Sequence, residues 1–432
     1  MSKSLGLKEL IAIAIGGMVG GGIFTILGIS VSMVGALAPF AIALGGVVAF
    51  FATYAYVKLG IYYKDEGATY AFFKRTYPKS HLAASFIGWY TVFGYISTLA
   101  LYAYTFSAYS LSGGEFAQNE ILRKVVAIVI IWIFALINIW SVKGMGKLED
   151  VMVYVKLTIL LIISMMLIYH TNTNFNNFIT TLTNDIKSSS LLAILTVSSV
   201  TFVAYEGFQL VINAVKEMDN PDLNIPRAIY SAVIIVASLY FIIALAAVLS
   251  IPAHDLIANK EYALAAGAKD IMGNFGENLV IIGAILATSS AISGTMFGSS
   301  RQMARIADDG YLPKILTKRR GTIPTNAIIA MALTASTLIV AGGLRVILEF
   351  GSITFLLVSL LMAIANFKIR KLTNSSTLMG FITILGLSVG SILILIYEYK
   401  TNIEQLIFIA IIYTILTIGA YIYSKFNNSN ES

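Results

Sequence analysis

Twelve apolar stretches, each long enough to cross a bilayer as a helix, follow one another along the 432 residues with short polar connections between them. They fall near residues 8–33, 38–62, 82–111, 121–142, 148–170, 191–216, 227–250, 277–307, 323–341, 346–368, 378–397 and 402–424. About 20 apolar residues span the hydrocarbon core as a helix. Backbone in lipid must satisfy its own hydrogen bonds, so the pattern predicts an all-α membrane protein with about 12 transmembrane helices. Only 12% of residues are charged, where a soluble domain carries about 25%, so a single-pass receptor or an anchored enzyme with a large soluble domain is excluded. The chain has no cysteine, which removes disulfides, thiolate metal sites and thiol nucleophiles. His81, His170 and His254 fall near helix ends or in loops and suggest no metal or catalytic cluster.

The net charge of +7 invites a nucleic-acid reading, but the distribution of the charge argues against one. With the N-terminus placed in the cytoplasm, 21 of the 29 Lys and Arg residues lie on inner loops and flanks, among them Lys3, Lys64, Lys74, Arg75, Lys143, Lys147, Arg305 and Lys314. Seven lie outside: Arg123, Lys124, Lys187, Lys260, Lys269, Arg345 and Lys400. Such an excess sets orientation in a bilayer and not partner choice, so both termini are expected in the cytoplasm, with the protein in the cell membrane and no nucleic acid as partner. No small-residue cleavage site precedes Gly16, so the start reads as a retained first helix and not a signal peptide. The polar tail 425–432 is expected to be disordered, and the connection near 251–276 to form short helices over the outer vestibule.

Breaks within the spans carry the functional signal. The first span reads Ile15-Gly16-Gly17-Met18-Val19-Gly20-Gly21-Gly22-Ile23-Phe24, and glycines this dense are poor material for a continuous helix. Close helix packing through small residues would explain one or two of them, but three in a row at mid-depth predict an interruption at Gly20, Gly21 and Gly22. The sixth span offers a counterpart, Phe202-Val203-Ala204-Tyr205-Glu206-Gly207, with an acid and a glycine together. Paired interruptions at corresponding positions point to a transporter built from inverted repeats, with its site at the repeat interface. The N–H groups at the helix start after Gly22 suit a carboxylate. Carbonyls around Val203, Ala204 and Tyr205 suit an ammonium, so the pair of breaks fits an α-amino acid.

On these motifs the sequence resembles the amino acid-polyamine-organocation (APC) superfamily. Gly16 to Phe24 is similar to its G-x-M-I-G-x-G-I-F signature, and Phe202 to Phe208 with Asn220-Pro221 and Pro226-Arg227-Ala228-Ile229 to F-x-A-Y-x-G-F…N-P…P-R-A-I. Tyr56 to Gly60, followed by Glu66 to Tyr70, is similar to its first cytoplasmic loop. Ser289-Ser290-Ala291, Ser300-Arg301 and Asp309-Gly310-Tyr311-Leu312-Pro313 look like its eighth-span motifs. The chain departs from the pattern at Tyr63, in place of a loop proline, at Ala68 in place of a glycine, and at Gln209 and Lys216, where acids are usual. Gly21 removes a small side chain often found in the first break, which leaves backbone N–H groups to hold a substrate carboxylate. The resemblance implies a five-plus-five inverted-repeat (LeuT-like) fold with discontinuous helices 1 and 6. It divides the chain into repeats over 1–170 and 191–370, two added helices over 378–424 and the tail, and implies alternating access with an amino-acid substrate.

Lys156 stands in mid-span, among Met152, Val153, Ile159 and Leu160. A cation at the centre of a span costs roughly 2.5 to 3.5 kcal/mol on insertion scales, so it faces a cavity or a partner, unless its stem snorkels to the surface. The sharper reading places its ammonium where a sodium ion would sit, donating to first-span carbonyls near the break and to Ser289 or Ser290. The resemblance to proton-coupled, sodium-independent members rests here on one position, the fifth-span lysine, and implies proton coupling with no sodium and no cofactor. Glu206 reads equally as a pH-responsive group and as a holder of the unwound segment. Phe202 is a candidate gate, and Tyr90, Tyr95 and Tyr102 are candidates for the pocket wall or for plain helix packing. Besides a proton symporter of amino acids, favoured as neutral, an amino acid/amine exchanger fits the sequence. A non-transporting nutrient sensor would be expected to carry a signalling extension. An enzyme finds no nucleophile and base pair to work with. Which amino acid is moved, and the oligomeric state, are not legible in the sequence.

Overall fold

The computed structural model of the chain describes residues 5–140, 145–171 and 175–431. Lys3, Lys143, the side chain of Lys147 and Ser432 lie outside the described residues. Among the described residues every regular element is a helix, and the strand-like contacts are two isolated bridges, Leu5 with Met218 and Arg320 with Ile323. Nine helical stretches among them are long and apolar enough to cross a bilayer, one of which, Gly22–Tyr63, runs through two successive spans.

The first span is two helices, α1 (Leu7–Met18) and α2 (Gly22–Val34). After a short 3₁₀ turn come α3 (Ala38–Tyr63), the loop helix α4 (Ala68–Thr76), α5 (His81–Leu111), α6 (Glu120–Trp140), α7 (Met145–Tyr169) and a second loop helix, α8 (Phe175–Ser188). The sixth span is divided again: α9 (Leu191–Val200), a 3₁₀ stretch Thr201–Tyr205, and the single turn α10 (Leu210–Asn213). Then follow α11 (Pro221–Ser250), the short α12 (Ala253–Ala258), α13 (Ala263–Asp308), α14 (Thr325–Ala341), α15 (Leu344–Lys368), α16 (Thr377–Thr401) and α17 (Ile403–Glu431). Gly273, at φ 63°, divides α13 into a short N-terminal helix and the long eighth span. The connection after α11 is therefore two short helices. The backbone of α17 stays helical through Glu431, past Lys425 where the polar tail begins, because a nucleated helix gains a hydrogen bond with each residue added.

Local chemistry sets the starts of several spans. Ser80, Ser190 and Ser376 cap α5, α9 and α16 by accepting from the N–H of Ala83, Ala193 and Met379. Pro221 opens α11 at a position whose N–H has no helical partner in any case.

In lipid there is no hydrophobic gain from bringing two helices together, so close packing of small residues does much of the work. α3 lies against α11, and α5 against α13 and α15. Gly45 and Gly46 of α3 leave room for the Tyr205 ring, and a Cβ on Gly46 would stand 3.1 Å from its Cζ. The last two helices are tied on through charge: Arg345 binds Glu349 at 2.7 Å and Glu398 of α16 at 2.8 Å, and Gln405 of α17 donates to Glu349.

Candidate functional site

The two interruptions lie against each other. Val19, at φ −84° and ψ 78°, ends α1, and its N–H bonds Ile15 O at 2.8 Å. α2 starts afresh at Gly22, so its first-turn N–H groups have no preceding turn to bind. In the sixth span Glu206 is extended (φ −70°, ψ 145°) and Gly207 has φ 123°. That backbone is forced by contact: a Cβ on Gly207 would lie 2.3 Å from the carbonyl carbon of Gly17, and one on Gly22 would lie 2.6 Å from Ala204 Cβ. Gly20 is closed in the same way by Ala291 and Tyr102, and Gly21 by Thr105 and Thr288. The first-span glycines thus serve both readings at once, an interruption of the helix and a close approach of neighbours.

Tyr240, in the middle of α11, bridges the breaks. Its hydroxyl lies 2.9 Å from Met18 O and 3.2 Å from Ala204 O, a three-centred bond that ties the end of α1 to the 3₁₀ stretch. Nothing in the apolar run around it marked this tyrosine beyond its being a polar tip in a mid-span position. Tyr205 donates to Ile42 O of α3 at 2.8 Å, anchoring the second break from the other side. Val203 O accepts from the N–H of Glu206 at 3.3 Å. The carbonyls of Val203 and Ala204 are therefore engaged within the protein.

Lys156 is wholly buried near the middle of α7, and its Nζ donates to Gly16 O of α1 at 3.0 Å. The stem does not snorkel. α7 also packs on α13, where Gly283 leaves room for Ile159, one turn beyond Lys156. Two turns after Gly283, Ser290 is buried with an Oγ that makes no hydrogen bond, beside a half-buried Ser289.

Glu206 is held by Gln209, whose Nε2 donates to Glu206 Oε2 at 2.9 Å and to Tyr95 OH at 3.1 Å. Gln209 Oε1 in turn accepts from the N–H of Gly207 at 3.1 Å. The other carboxylate oxygen, Glu206 Oε1, is buried, and the hydroxyls of Ser359, Tyr56, Tyr95 and Tyr102 surround the group. Gln209, which as a sequence feature is only a missing acid, is thus the positioning partner of the acid three residues before it.

A cleft runs from Gly17, Glu206 and Gly207 along Thr295, Gly298, Ser299 and Gln302 of α13, with Asn213 at its rim. Its cavity volume is about 20 Å³. That is room for about one water. Of the eight candidate site residues at the two breaks, Glu206 lines this cleft; Gly20, Gly21, Gly22, Phe202, Val203, Ala204 and Tyr205 are packed against one another and their neighbours. Tyr95 and Tyr102 line it too, while Tyr90 turns away to bond Thr417 at 3.0 Å. Thr98, Thr295, Ser299 and Phe355 carry no signal of their own in the sequence and line it because α5, α13 and α15 converge there.

A family model described as amino acid permease matches residues 5–424. The chain belongs to the amino acid permease family, within the APC superfamily. Three relatives illustrate the range. The permease is 30% identical over 400 residues to the inner membrane transport protein YbaT of Escherichia coli, covering 90% of each chain. It is 24% identical over 319 residues to the serine/threonine exchanger SteT of Bacillus subtilis, covering 72% of this chain and 70% of that one. It is 22% identical over 452 residues to the branched-chain amino acid permease BcaP of Bacillus subtilis, covering 99% and 95%. The permease is an integral membrane protein that transports amino acids, and not an enzyme.

Proposed function

We propose that this permease is a sodium-independent, proton-coupled symporter of neutral amino acids in which the Lys156 ammonium stands in for a coupling cation. The observation that carries the reading is the bond from Lys156 Nζ to Gly16 O. Gly16 lies in the last turn of α1, where carbonyls lacking a helical partner would otherwise attract a cation. A protonated lysine supplies that single positive charge from a neighbouring helix, and loss of its proton withdraws the charge from the end of α1. The hinge between α1 and α2 is then free to respond. The same reading includes twelve spans with both termini cytoplasmic and a five-plus-five repeat over 1–170 and 191–370. It also includes alternating access, with the two breaks as the centre about which the repeats move.

Neutral substrates are favoured because the relatives' names specify serine, threonine and branched-chain amino acids. The name of SteT also supports a second reading, exchange of one amino acid for another. Uptake of L-serine and L-leucine into proteoliposomes separates these. Under the proposal, a pH gradient drives accumulation into empty vesicles in sodium-free buffer, and Lys156→Ala abolishes the gradient dependence. A sodium requirement, or full pH-driven uptake by Lys156→Ala, contradicts it; uptake confined to preloaded vesicles establishes exchange.

A further inference from the structure

Where α3 stops, at one end of the helix bundle, lies a pocket far roomier than the cleft beneath the breaks. Its cavity volume is about 520 Å³, within the range that holds a small-molecule ligand. Lys58, Ile61 and Tyr62 form one side, at helical spacing on one face of α3, and Lys64 stands just past the helix end. Leu372, Thr373 and Asn374, in the turn between α15 and α16, form the other. That turn is held in one shape. The buried Asn366 accepts through Oδ1 from the hydroxyls of Thr373 at 2.9 Å and Ser375 at 3.1 Å, and the Ser375 N–H bonds Arg370 O at 2.8 Å. It is also tied to α3: Lys58 Nζ donates to Asn374 O at 2.9 Å, and the Ser376 N–H to Tyr54 OH at 2.7 Å.

The charge here is of one sign. The lining residues include two lysines and no carboxylate, and Arg370 and Lys371 directly precede Leu372. Lys64 meets Asp222 at 2.9 Å, but both side chains are well exposed, and such a pair contributes little and yields readily to a stronger anion. An ammonium carries three donors, of which the bond from Lys58 to Asn374 O uses one. Tyr62 and Leu372 are 44% and 63% exposed at the ends of their spans, the level at which aromatic residues meet lipid headgroups. The pocket thus offers an apolar rim beside two ammonium groups.

We propose that this pocket binds the phosphate of an anionic phospholipid, with Lys58 and Lys64 as its cationic contacts and Ile61 and Leu372 against the first methylenes of the acyl chains. Basic pockets between spans on the cytoplasmic side take such headgroups, and the orientation proposed above puts this end of the bundle there. A zwitterionic headgroup brings its own cation to the same lysines and is disfavoured. A soluble phosphate compound lacks the chains that would cover Leu372. The pocket shares no lining residue with the cleft beneath the breaks, so the inference depends neither on the substrate nor on the coupling ion.

The purified full-length protein is incubated with equal amounts of phosphatidylglycerol and phosphatidylcholine, and the ratio of the two retained is read by native mass spectrometry. Wild type is expected to retain phosphatidylglycerol in clear preference. Lys58→Gln is expected to reduce the ratio about fivefold, and Lys58→Gln with Lys64→Gln to bring it close to one. Lys58→Arg, which keeps the charge, preserves the preference. Leu372→Glu, which sets an acid at the exposed rim, lowers it without touching the contacts between α3 and the turn, and so serves if Lys58→Gln does not fold. Lys314→Gln with Lys318→Gln removes two exposed cations elsewhere at the same end of the bundle and leaves the ratio as in wild type. No preference in wild type, or an equal fall in the Lys314 and Lys318 variant, overturns the proposal. Displacement of the lipid by an equal concentration of glycerol 3-phosphate also overturns it, in favour of a soluble phosphate compound.

Discussion

The two interruptions are built by different means. The first is made almost wholly of glycine and main chain: Gly17, Gly20, Gly21 and Gly22 face neighbours so closely that any Cβ would overlap Gly207, Ala291, Thr105 or Ala204. The second is held by side chains, with Tyr205 on Ile42 O, Glu206 on Gln209, and a single glycine at φ 123°. One break is thus defined by what must be absent and the other by what must be present. Substitutions should act on them through different physics, steric overlap in the first and lost hydrogen bonds in the second.

The largest effect is expected where the two kinds of constraint meet. Gly207→Ala combines a forbidden backbone angle with overlap on Gly17 and should cost roughly 2 to 6 kcal/mol. The expected outcome is loss of folded, monodisperse protein in detergent size-exclusion chromatography; normal yield with normal uptake would break the steric half of the comparison. Gly22→Ala should cost less, about 1 to 3 kcal/mol, because Gly22 is helical and only the overlap with Ala204 acts there, without a forbidden backbone angle. Its readout is a lowered Tm with uptake reduced.

Tyr240→Phe sharpens the hydrogen-bonded half. It leaves the ring in place and strips Met18 O and Ala204 O of their shared donor; Met18 O keeps the Gly20 N–H at 3.0 Å, so the cost, about 1 to 3 kcal/mol for a buried acceptor left unsatisfied, falls on Ala204 O. A lowered Tm is expected, together with faster amide exchange in the stretch 200–207; exchange unchanged there would mean the bridge does not hold the breaks together. The smallest effect is expected far from both, at the half-exposed pair Lys74 and Asp309, 2.8 Å apart. Lys74→Ala should change stability by about 0 to 1 kcal/mol, as read by the thermal-unfolding midpoint.

Much of this was legible in the residues. Apolar run length located the long apolar helices among the described residues to within a few residues, because hydropathy and helix length are local properties. The glycine run and the Glu206-Gly207 pair announced the breaks, since both weaken a helix wherever they occur. The loop helices α4 and α8 were not foreseen, because short amphipathic helices docked on a larger body owe their stability to packing and not to a long periodic signal. The cleft was not legible either: Thr98, Ser299 and Phe355 come from three helices far apart in sequence. The breaks themselves were expected to line the pocket, and of those residues the structure puts Glu206 there. The paired acids Glu349 and Glu398 also went unremarked, because each stands at the end of an apolar run where a lone charge reads as a boundary.

Because the chain has no cysteine, a single one placed in the cleft reports on it without background. Gln302→Cys, half-buried on the α13 wall, can be alkylated by a small maleimide in membranes with and without a transported amino acid. If the space beneath the two breaks is where substrate passes, a saturating amino acid slows the alkylation several-fold. An alkylation rate that no transported amino acid alters would place the route elsewhere and contradict the account.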